Sequence, residues 1–412
     1  MTDAAVRGLA SRLESGLGAA TRRADSLRDR LAPGSLSRRL AAGGAFVVRG
    51  GWHVWRNRRY LTARKLLNMA LVNVEFALRR ERVWGRPYRL KIESTNVCNT
   101  RCQLCPTGIG LRGRPRGIMG LDDYRSLIDR LRGFLYVLDL SMWGDPLIAP
   151  HIYDMIRYAH DRRIWTYLST NLHAFEPRSG HLESLFSSGL DMMTVSLHGA
   201  SQQTFAAYQP GMDFDRTLDR LRAIVDEKRR RGTNKPALQL NFVVTRKNQH
   251  EREAFSRLAA ALDCQPLFSA PSLNVRFLDR DQSLAPLDLS GDELRTRIEA
   301  KMREWLPDDE SLVVEPYRRM RAGDYEREHW NGSKPMHCDW PWRSGVINWD
   351  GSVVTCCGVF ETSDDMGNVF TQPFGEIWNG LSYRMARRSF KRAAPVAEGY
   401  ANPCRDCPGF LP

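Results

Sequence analysis

The nine cysteines of this 412-residue chain are the side chains whose type and spacing most directly suggest chemistry. Three of them, Cys98, Cys102 and Cys105, form the pattern Cys-x3-Cys-x2-Cys. Three thiolates on one loop can hold a soft metal centre and leave one coordination position open, as an iron–sulfur cluster with an exogenous ligand requires. A structural zinc site takes four ligands, and no fourth Cys or His lies nearby in the sequence. The pattern therefore favours an iron–sulfur cluster over zinc or accidental thiols.

A second group of cysteines is spread over the last 75 residues of the chain. It consists of Cys338, Cys356, Cys357, Cys404 and Cys407. These thiols surround a predicted β-hairpin over 345–355, whose turn we place at Asp350–Gly351. Four thiolates can close a [4Fe–4S] site or a zinc site equally well, so the count alone leaves both interpretations open.

The start of the sequence carries no hydrophobic core followed by a small-residue cleavage site, so we expect no secretory signal and a cytoplasmic protein. In that compartment clustered cysteines serve metal or redox chemistry rather than disulfides. No stretch reaches the roughly 18 uninterrupted apolar residues that a membrane span needs.

The elements that must position these cysteines follow a regular pattern from Tyr88 onward, where short apolar runs alternate with helical patterns, as in repeated βα units. Strands are predicted at 89–93, 135–141, 165–169, 192–197 and 237–244, with a sixth at 273–277. Helices are predicted between them at 122–131, 152–162, 182–188, 215–230 and 251–262. Five or six such units predict an α/β fold, a partial (β/α)6 TIM-like barrel with its functional side chains at the carboxyl ends of the strands.

The sequence divides into four expected segments. A basic helical N-terminal extension, 1–87, precedes the partial barrel, 88–284. A linker at 285–335 contains one predicted helix, 291–305. A small cluster-binding domain with the β-hairpin occupies 336–412.

The net charge of +14 is concentrated in residues 1–90, where 19 Lys and Arg face 6 Asp and Glu. The rest of the chain is near neutral, which does not suit a specific nucleic-acid binder. An apolar stripe of Ala and Leu over 9–31 has arginines beside it, and a second helix is predicted at 61–82. We expect residues 1–60 to bind an anionic membrane surface, peripherally at the inner membrane face, whereas 60–87 fit a helical cap on the barrel equally well.

The first cysteine pattern and three short motifs at successive predicted strand ends resemble the radical S-adenosylmethionine (SAM) superfamily over residues 88–280. The motifs are Ser-Met-Trp-Gly-Asp-Pro (141–146), Leu-Ser-Thr-Asn (168–171) and Val-Ser-Leu-His-Gly (195–199). The resemblance implies that the first motif holds the methionine amino group and that the second contacts the ribose and the sulfonium side. The residues that it places around SAM are Gly144, Asp145, Pro146, Ser169, Asn171 and Ser196.

Three positions depart from the pattern of that superfamily. Leu104 stands where an aromatic side chain against the adenine is usual, and Gln209 stands where an arginine near the SAM carboxylate is frequent. His198 replaces a common Asp. It is the one candidate for a catalytic side chain, with a hydrogen-bonded wall residue as the alternative.

The segment around the second cysteine group resembles the SPASM/twitch extension of radical SAM enzymes, which carries auxiliary iron–sulfur clusters. The resemblance covers the hairpin, Met-Gly-Asn-Val (366–369) and Glu-Ile-Trp-Asn (376–379). Because the chain lacks several of the seven cysteines of the full pattern, it implies one auxiliary [4Fe–4S] cluster. The expected ligands are Cys338, Cys356, Cys404 and Cys407, with Cys357 as the spare thiol.

The resemblance implies a radical SAM enzyme whose SAM-binding [4Fe–4S] cluster is held by the first three cysteines. It implies reductive cleavage of SAM to a 5′-deoxyadenosyl radical and hydrogen abstraction from a small-molecule, lipid or peptide substrate. The expected outcome is a net oxidation or dehydrogenation assisted by the auxiliary cluster, with a reductant such as flavodoxin or ferredoxin supplying the electron. Two alternatives stay open: a maturase that forms a C–C or thioether crosslink on a ribosomally made peptide, and a non-catalytic iron–sulfur redox sensor.

Overall fold

The computed structural model of the chain describes residues 57–111, 113–273, 292–323, 338–390, 402–404 and 407. The chain divides into two compact units, Met1–Thr62 and Ala63–Pro412. In the first unit the described residues include one turn of 3-10 helix, Arg58–Tyr60. The helix predicted over 9–31 lies outside the described residues.

One sheet of eight strands is the centre of the second unit within the described residues. The strands are β1 (Arg89–Ile92), β2 (Val137–Asp139), β3 (Trp165–Thr170), β4 (Met192–Ser196), β5 (Ala237–Val243), β6 (Gln265–Ser269), β7 (Ser344–Ile347) and β8 (Val353–Val354). Strands β1 to β6 pair in chain order and all in parallel. The predicted α/β fold with a partial six-stranded barrel is therefore confirmed.

The helices of the second unit lie between and after the strands. Those described are α1 (Ala63–Ala77), α2 (Leu121–Leu131), α3 (Ile152–Asp161), α4 (His181–Ser187), α5 (Gln202–Tyr208), α6 (Phe214–Arg230), α7 (Arg252–Ala261), α8 (Asp292–Trp305), α9 (Glu315–Arg321), α10 (Trp340–Arg343), α11 (Phe374–Trp378) and α12 (Leu381–Arg388). Helix α6 shows why such segments are helical: Asp213 caps its first turn by accepting a bond from Arg216 N at 2.9 Å. Its last turn is basic, which complements the helix dipole.

The first five predicted strands and the helices between them lie within a few residues of the observed elements, but the sixth strand was placed wrongly. It is Gln265–Ser269, not 273–277. β6 is an edge strand of the described sheet, and it contains Pro266 and three exposed residues, so the apolar alternation of the other strands is missing. Leu273 is buried against α8 instead of lying in a strand. Residues 274–277 lie outside the described part of the chain.

The predicted hairpin is formed by β7 and β8, which pair antiparallel. Its turn includes Gly351, whose φ of +82° is the left-handed conformation that glycine adopts without strain. β7 also pairs in parallel with β1, over four residues from Arg89 to Ile92. The hairpin therefore extends the barrel sheet at its β1 edge, and Cys357, which follows it, lies near Lys91 of the first strand.

Side chains of the barrel strands alternate between two environments. Leu90 and Ile92 are buried in the main hydrophobic core, and the residue between them, Lys91, is polar. Lys91 is in register with Asp139 on β2, and Asp139 is in register with Tyr167 on β3. These three form what we call the interior polar row, on the face opposite the helices.

Helix α1 differs from the prediction at 61–82 in its length and in the face that it packs. It ends at Ala77, because Arg79 adopts a left-handed conformation, with φ 51°. Its buried side chains include Lys65 and Glu75, while several of its leucines are exposed. Among the described residues no helix is long and apolar enough to cross a membrane.

Candidate active site

The loop that follows β1, residues 93–119, holds the first three cysteines and is called the cluster loop. Thr100 organises it, because its hydroxyl lies 3.1 Å from Cys98 Sγ and 3.4 Å from Cys102 Sγ. Cys105 N donates to the carbonyl of Cys102 at 3.2 Å, which turns the third thiol back towards the others. The loop therefore places the three thiols close to one another.

The loop is folded so tightly that only glycine fits at position 108. A Cβ at Gly108 would lie 2.3 Å from the carbonyl oxygen and 2.6 Å from the nitrogen of Cys102. Burial raises the pKa of all three thiols, and for Cys102 burial together with the Cys105 and Cys98 thiols raises the pKa to about 12. Buried thiols of this kind ionise when a metal centre compensates their charge, so the donor set fits a thiolate-bound cluster.

The motif after β2 packs directly against the cluster loop. A Cβ at Gly144 would meet the carbonyl oxygens of Thr95 and Val97 at 2.3 and 2.6 Å, so this cradle exists only because position 144 is glycine. Asp145 N donates to Val97 O at 2.9 Å. Pro146 begins the 3-10 turn that follows. The cradle offers main-chain groups beside the three thiols.

The carboxylate of Asp145 is buried and engaged within the protein. It accepts bonds from Leu147 N at 3.0 Å, from Asn171 N at 2.7 Å and from the hydroxyl of Thr170 at 2.9 and 3.0 Å. Burial raises its pKa, against the effect of these donors. The carboxylate thus fixes the end of β3 to the motif after β2, and direct contact with SAM stays a prediction.

The predicted residues on β3 and β4 lie beside the cradle. Asn171 donates from its side chain to Asn99 at 2.8 Å and to Cys98 Sγ at 3.8 Å, so it touches the cluster loop. The hydroxyls of Ser169 and Ser196 lie 3.5 Å apart across the two strands. The structure therefore brings these three residues and the Gly144 cradle together.

His198 lies in the wall of the barrel. Its Nδ1 accepts a bond from Val243 N at 3.1 Å, and its ring also bonds the main chain of Asn241. Burial lowers its pKa to about 3, so the imidazole is neutral at physiological pH. Its ring centroid lies 4.4 Å from that of Tyr208. These contacts favour the wall-residue alternative, and a catalytic role for His198 stays a prediction.

Two side chains beside Cys102 connect the cluster loop to the rest of the chain. Leu104 is buried in an apolar cluster with Tyr208 and with residues of α8, including Trp305. The segment expected to be a linker therefore covers the loop, a contact that the amphipathic pattern of α8 alone could have suggested.

Gln209 is buried, bonds the Cys102 thiol, and leaves its Oε1 without a partner among the described residues. That orphaned acceptor points to a donor-bearing ligand next to the thiols.

Arg114 joins the cluster loop to the C-terminal segment, residues 338–390, and sequence reasoning did not single it out. Its side chain is fully buried. The guanidinium donates to the Ser352 hydroxyl at 2.7 Å and to Asp365 at 2.5 Å. It also donates to the carbonyls of Phe360 and Glu361, both at 3.2 Å. The planar guanidinium has five N–H donors and can bond all of these acceptors, whereas a lysine ammonium group has three donors and would bond only some of them.

Glu93 also connects the barrel to the C-terminal segment through hydrogen bonds. It is fully buried at the end of β1 and accepts bonds from Trp143 N at 3.1 Å and Trp349 N at 3.4 Å. Trp143 belongs to the motif after β2, and Trp349 belongs to the hairpin turn. One carboxylate therefore holds the candidate SAM motif and the hairpin in place together.

The second cysteine group is gathered by the hairpin and by the residues near 404. Burial raises the pKa of Cys356 well above its usual value, and the nearby Cys357, Cys404 and Cys407 thiols raise it further. Burial also raises the pKa of Cys338 to about 11, and the Cys407 thiol adds to this. Four thiols thus share one region. No three Cys, His, Asp or Glu side chains of the described residues converge on a single metal ion.

Cys357 faces a different environment from that of Cys356. The charges that act on the pKa of its thiol, after burial, are those of Lys91 and Asp139 in the interior polar row. Lys91 forms an ion pair with Asp139, whose other oxygen accepts from Ser141 N at 2.9 Å. Burial lowers the pKa of Lys91, but Asp139, Tyr167 and Cys357 together outweigh it and raise that pKa. Lys91 therefore stays a cation inside the barrel.

Comparisons with known proteins agree with this geometry. A family model described as the radical SAM superfamily matches residues 92–258. A model described as an iron–sulfur cluster-binding domain, SPASM, matches residues 338–408. The two matches together cover more than half of the chain and contain both cysteine groups.

The chain is also similar to characterised proteins over most of its length. AdoMet-dependent heme synthase of Methanosarcina barkeri is 24% identical over 339 residues, which cover 78% of this chain and 91% of that protein. PqqA peptide cyclase of Ruegeria pomeroyi is 26% identical over 279 residues, covering 66% of this chain and 67% of that protein. The crystal structure of Streptococcus suis SuiB bound to S-adenosylmethionine superposes with a TM-score of 0.52 at 16% identity, covering 74% of this chain and 69% of that chain. That last likeness shows the fold alone.

The Glu93 carboxyl predicts a pH dependence of stability. Burial raises its pKa from 4.5 to about 7, so the folded protein binds this proton more tightly than the unfolded chain does. The stabilising contribution is therefore complete below the unfolded value and is lost as pH rises through the folded value. Between about pH 5 and pH 8 the unfolding free energy of the wild type should fall by about 3 kcal/mol more than that of Glu93→Gln. Denaturant titrations at both pH values measure this difference, and equal pH slopes for the two proteins would refute it.

Proposed function

The chain belongs to the radical SAM superfamily and carries a SPASM iron–sulfur domain, and we propose that it oxidises a substrate held inside the barrel. The observation that carries the proposal is the placement of two adjacent thiols. Cys404 and Cys407 lie close enough to Cys356 to raise the pKa of its thiol, whereas Lys91 and Asp139 of the interior polar row act on the pKa of Cys357. An electron acceptor on one side of this dipeptide and a substrate on the other side would be close neighbours.

The cofactors of such an enzyme are SAM, a [4Fe–4S] cluster and auxiliary iron–sulfur chemistry in the SPASM domain. We assign Cys98, Cys102 and Cys105 to the first cluster. When bound and reduced, that cluster supplies one electron for cleavage of SAM, which yields the 5′-deoxyadenosyl radical that removes a hydrogen atom from substrate. The protein contributes binding, orientation and exclusion of water.

The residues around the Gly144 cradle orient SAM in this proposal. Main-chain groups at the cradle receive the methionine amino group, and Asp145 acts as a positioning residue through its bonds to the end of β3. Ser169, Asn171 and Ser196 line the ribose side. The free Oε1 of Gln209 accepts a bond from a donor on the bound ligand.

The interior polar row handles the proton of the oxidation. A two-electron oxidation would release one substrate hydrogen as an atom, a second as a proton, and one electron, which an auxiliary cluster held by the C-terminal cysteines would accept. Asp139 is the proton acceptor that we propose, because it is buried, paired with Lys91, and hydrogen-bonded to Tyr167. Ser141 bonds one carboxylate oxygen of Asp139 through its N–H and its hydroxyl, and Lys91 contacts the other oxygen.

We assign Cys338, Cys356, Cys404 and Cys407 to one auxiliary [4Fe–4S] cluster. The arrangement of Cys356 and Cys357 supports Cys356 as the ligand, since its thiol is the one near Cys404 and Cys407. Cys357 is then not a ligand, and its thiol lies near Lys91 and Asp139, where we place the substrate.

A second candidate function is maturation of a ribosomally made peptide, with formation of a crosslink. The observation that favours it is the similarity of this chain to PqqA peptide cyclase over 66% of its length. Oxidation and crosslinking begin with the same hydrogen abstraction, and they differ in whether the substrate radical loses a proton or forms a new bond. A redox sensor is disfavoured, because a sensor needs neither the Gly144 cradle nor the orphaned Gln209 acceptor.

The partners of either reaction are a one-electron reductant, such as flavodoxin or ferredoxin, and a small-molecule, lipid or peptide substrate. We propose a cytoplasmic enzyme. The membrane association expected for residues 1–60 falls almost wholly outside the described residues, and it stays a proposal that rests on their sequence charge.

SAM cleavage tests the proposed function directly. Anaerobically reconstituted protein given dithionite and SAM should form 5′-deoxyadenosine, and a variant with Cys98, Cys102 and Cys105 changed to Ala should form none. Cys264→Ala is the matched control, because that buried thiol bonds Leu262 O and belongs to neither cysteine group. Reductive cleavage by the triple variant would show that the cluster loop is not the reaction centre.

The cluster assignment predicts an iron count. Two [4Fe–4S] clusters give about eight irons per chain. Cys356→Ser should lose about half of this iron, while Cys357→Ser should keep all of it, because only the first thiol faces Cys404 and Cys407. Iron and sulfide assays on the two variants measure the outcome. Loss of iron from Cys357→Ser alone would reverse the assignment, and stoichiometric zinc would contradict the metal.

The interior polar row predicts a separation of two activities. With a substrate that stimulates SAM cleavage, Asp139→Asn should lower the ratio of oxidised product to 5′-deoxyadenosine by about 100-fold, because general-base catalysis is lost while hydrogen abstraction continues. Asp129→Asn is the control, since that carboxylate lies on the surface with Arg162. Mass spectrometry of both products gives the ratio. An unchanged ratio in Asp139→Asn would remove Asp139 from the proton path.

A further inference from the structure

Helix α1 buries polar side chains beside Val72, whereas a surface helix usually packs an apolar stripe inward. Lys65 and Glu75 are buried, with relative exposures of 1% and 2%. Asn68 lies on the same side of the helix and is partly buried. All three bond main-chain groups. Lys65 donates to Arg163 O at 2.5 Å, and Asn68 donates to Arg86 O and accepts from Arg86 N, both at 2.8 Å. Glu75 accepts from Trp84 N at 2.7 Å and from Gly85 N at 3.0 Å.

The opposite side of α1 is apolar and exposed. At 100° per residue, positions 63, 67, 70, 74 and 78 fall on one stripe of the helix. The exposed side chains there and next to it are Ala63, Leu66, Leu67, Ala70, Val74, Ala77 and Leu78. Leu67 is 73% exposed and Leu78 is 64% exposed, and Trp84 just beyond the helix is 72% exposed. We call Leu66, Leu67, Ala70, Val74, Leu78 and Trp84 the docking face.

This concentration of apolar side chains is confined to one place. The five most exposed large apolar side chains of the described residues all lie between Leu66 and Trp84. The other four, elsewhere on the surface, are exposed by 38 to 41% and are scattered along the chain. A contiguous patch of this kind marks an interaction site, whereas single exposed leucines are ordinary.

The charges around the docking face are positive. Arg64, Arg80 and Arg82 are exposed beside it, and the Arg80 guanidinium lies 4.9 Å from the centre of the Trp84 ring. Of the nearby acids, Glu75 is buried and Glu81 pairs with Arg388 at 3.2 Å. The sequence that precedes the helix, 1–62, is also basic in composition, with 12 Lys and Arg against 4 Asp and Glu.

We propose that the docking face lies on an anionic lipid surface, with α1 parallel to the bilayer and Trp84 at the headgroup level. An apolar helix face with an arginine rim and an interfacial tryptophan has the composition of an interfacial helix, and each cation near the surface adds to the attraction. A helix of 15 residues is too short to span a bilayer. Two copies joined through this face would bring their arginine rims together, which opposes a dimer. The inference is independent of the radical chemistry, because it uses none of the cysteines.

Vesicle binding by the full chain tests the proposal. Wild type, Leu67→Asp and Leu381→Asp are sedimented with vesicles of phosphatidylcholine and phosphatidylglycerol in equal parts, and with phosphatidylcholine alone. Leu381 is the matched control, since it is an exposed leucine outside the docking face and its variant changes the charge equally. The wild type should bind the anionic vesicles, and Leu67→Asp should bind about tenfold or more weakly, because one leucine leaves the lipid and a negative charge is added. Leu381→Asp should bind like the wild type.

Iron content and circular dichroism of each variant establish that it is folded, which is expected because both leucines point to solvent. Absence of wild-type binding, or equal binding of Leu67→Asp and wild type, overturns the proposal. A wild-type dimer in light scattering that Leu67→Asp converts to a monomer would assign the docking face to a second copy and would also overturn it. Equal binding of the wild type to neutral and anionic vesicles would contradict the role given to the arginine rim.

Discussion

The buried guanidinium of Arg114 holds the cluster loop to the C-terminal segment, and the geometry of both cysteine groups depends on that contact. It satisfies the Ser352 hydroxyl, the Asp365 carboxylate and two carbonyls at once. Removal of one partner from a buried, paired charge lowers the free energy of unfolding by about 3–5 kcal/mol. Separation of the cluster loop from the C-terminal segment is therefore strongly unfavourable. Glu93 repeats the connection through Trp143 and Trp349. The loop that carries Cys98, Cys102 and Cys105 is therefore part of the C-terminal fold as well as of the barrel.

This connection explains how one sheet serves two redox centres. Because β7 pairs with β1, the Cys356–Cys357 dipeptide beyond the hairpin reaches the open face of the first strands. The Cys356 thiol lies near Cys404 and Cys407, and the Cys357 thiol lies near the Lys91–Asp139 pair, as the charges that act on their pKa values show. In the oxidation that we propose, a substrate against the interior polar row would lie close to Cys357.

Much of this architecture could be predicted from the sequence, because apolar periodicity marks buried strands and because cysteine spacing and the strand-end motifs mark the chemistry. The edge strand β6 could not, since Pro266 and its exposed neighbours break the alternation. The roles of Arg114 and Glu93 could not be predicted either. Each is a buried charged residue with hydrogen-bond partners more than 200 residues away in the sequence, and sequence patterns do not reveal such contacts. Helix α1 was predicted as a helix, but its polar stripe was not expected to face inward. Periodicity gives the two faces of a helix, and only the packing shows which one is buried.

Electron paramagnetic resonance of the reduced double variant Cys404→Ser/Cys407→Ser tests the central claim most directly. This variant lacks two of the assigned auxiliary ligands and keeps the cluster loop. Because three thiolates leave one iron open, its remaining signal should change when SAM is added. The complementary variant without the three loop cysteines should give a reduced signal that SAM does not alter. A SAM-insensitive signal in the first variant, or a SAM-sensitive signal in the second, would contradict the assignment of the open cluster to Cys98, Cys102 and Cys105.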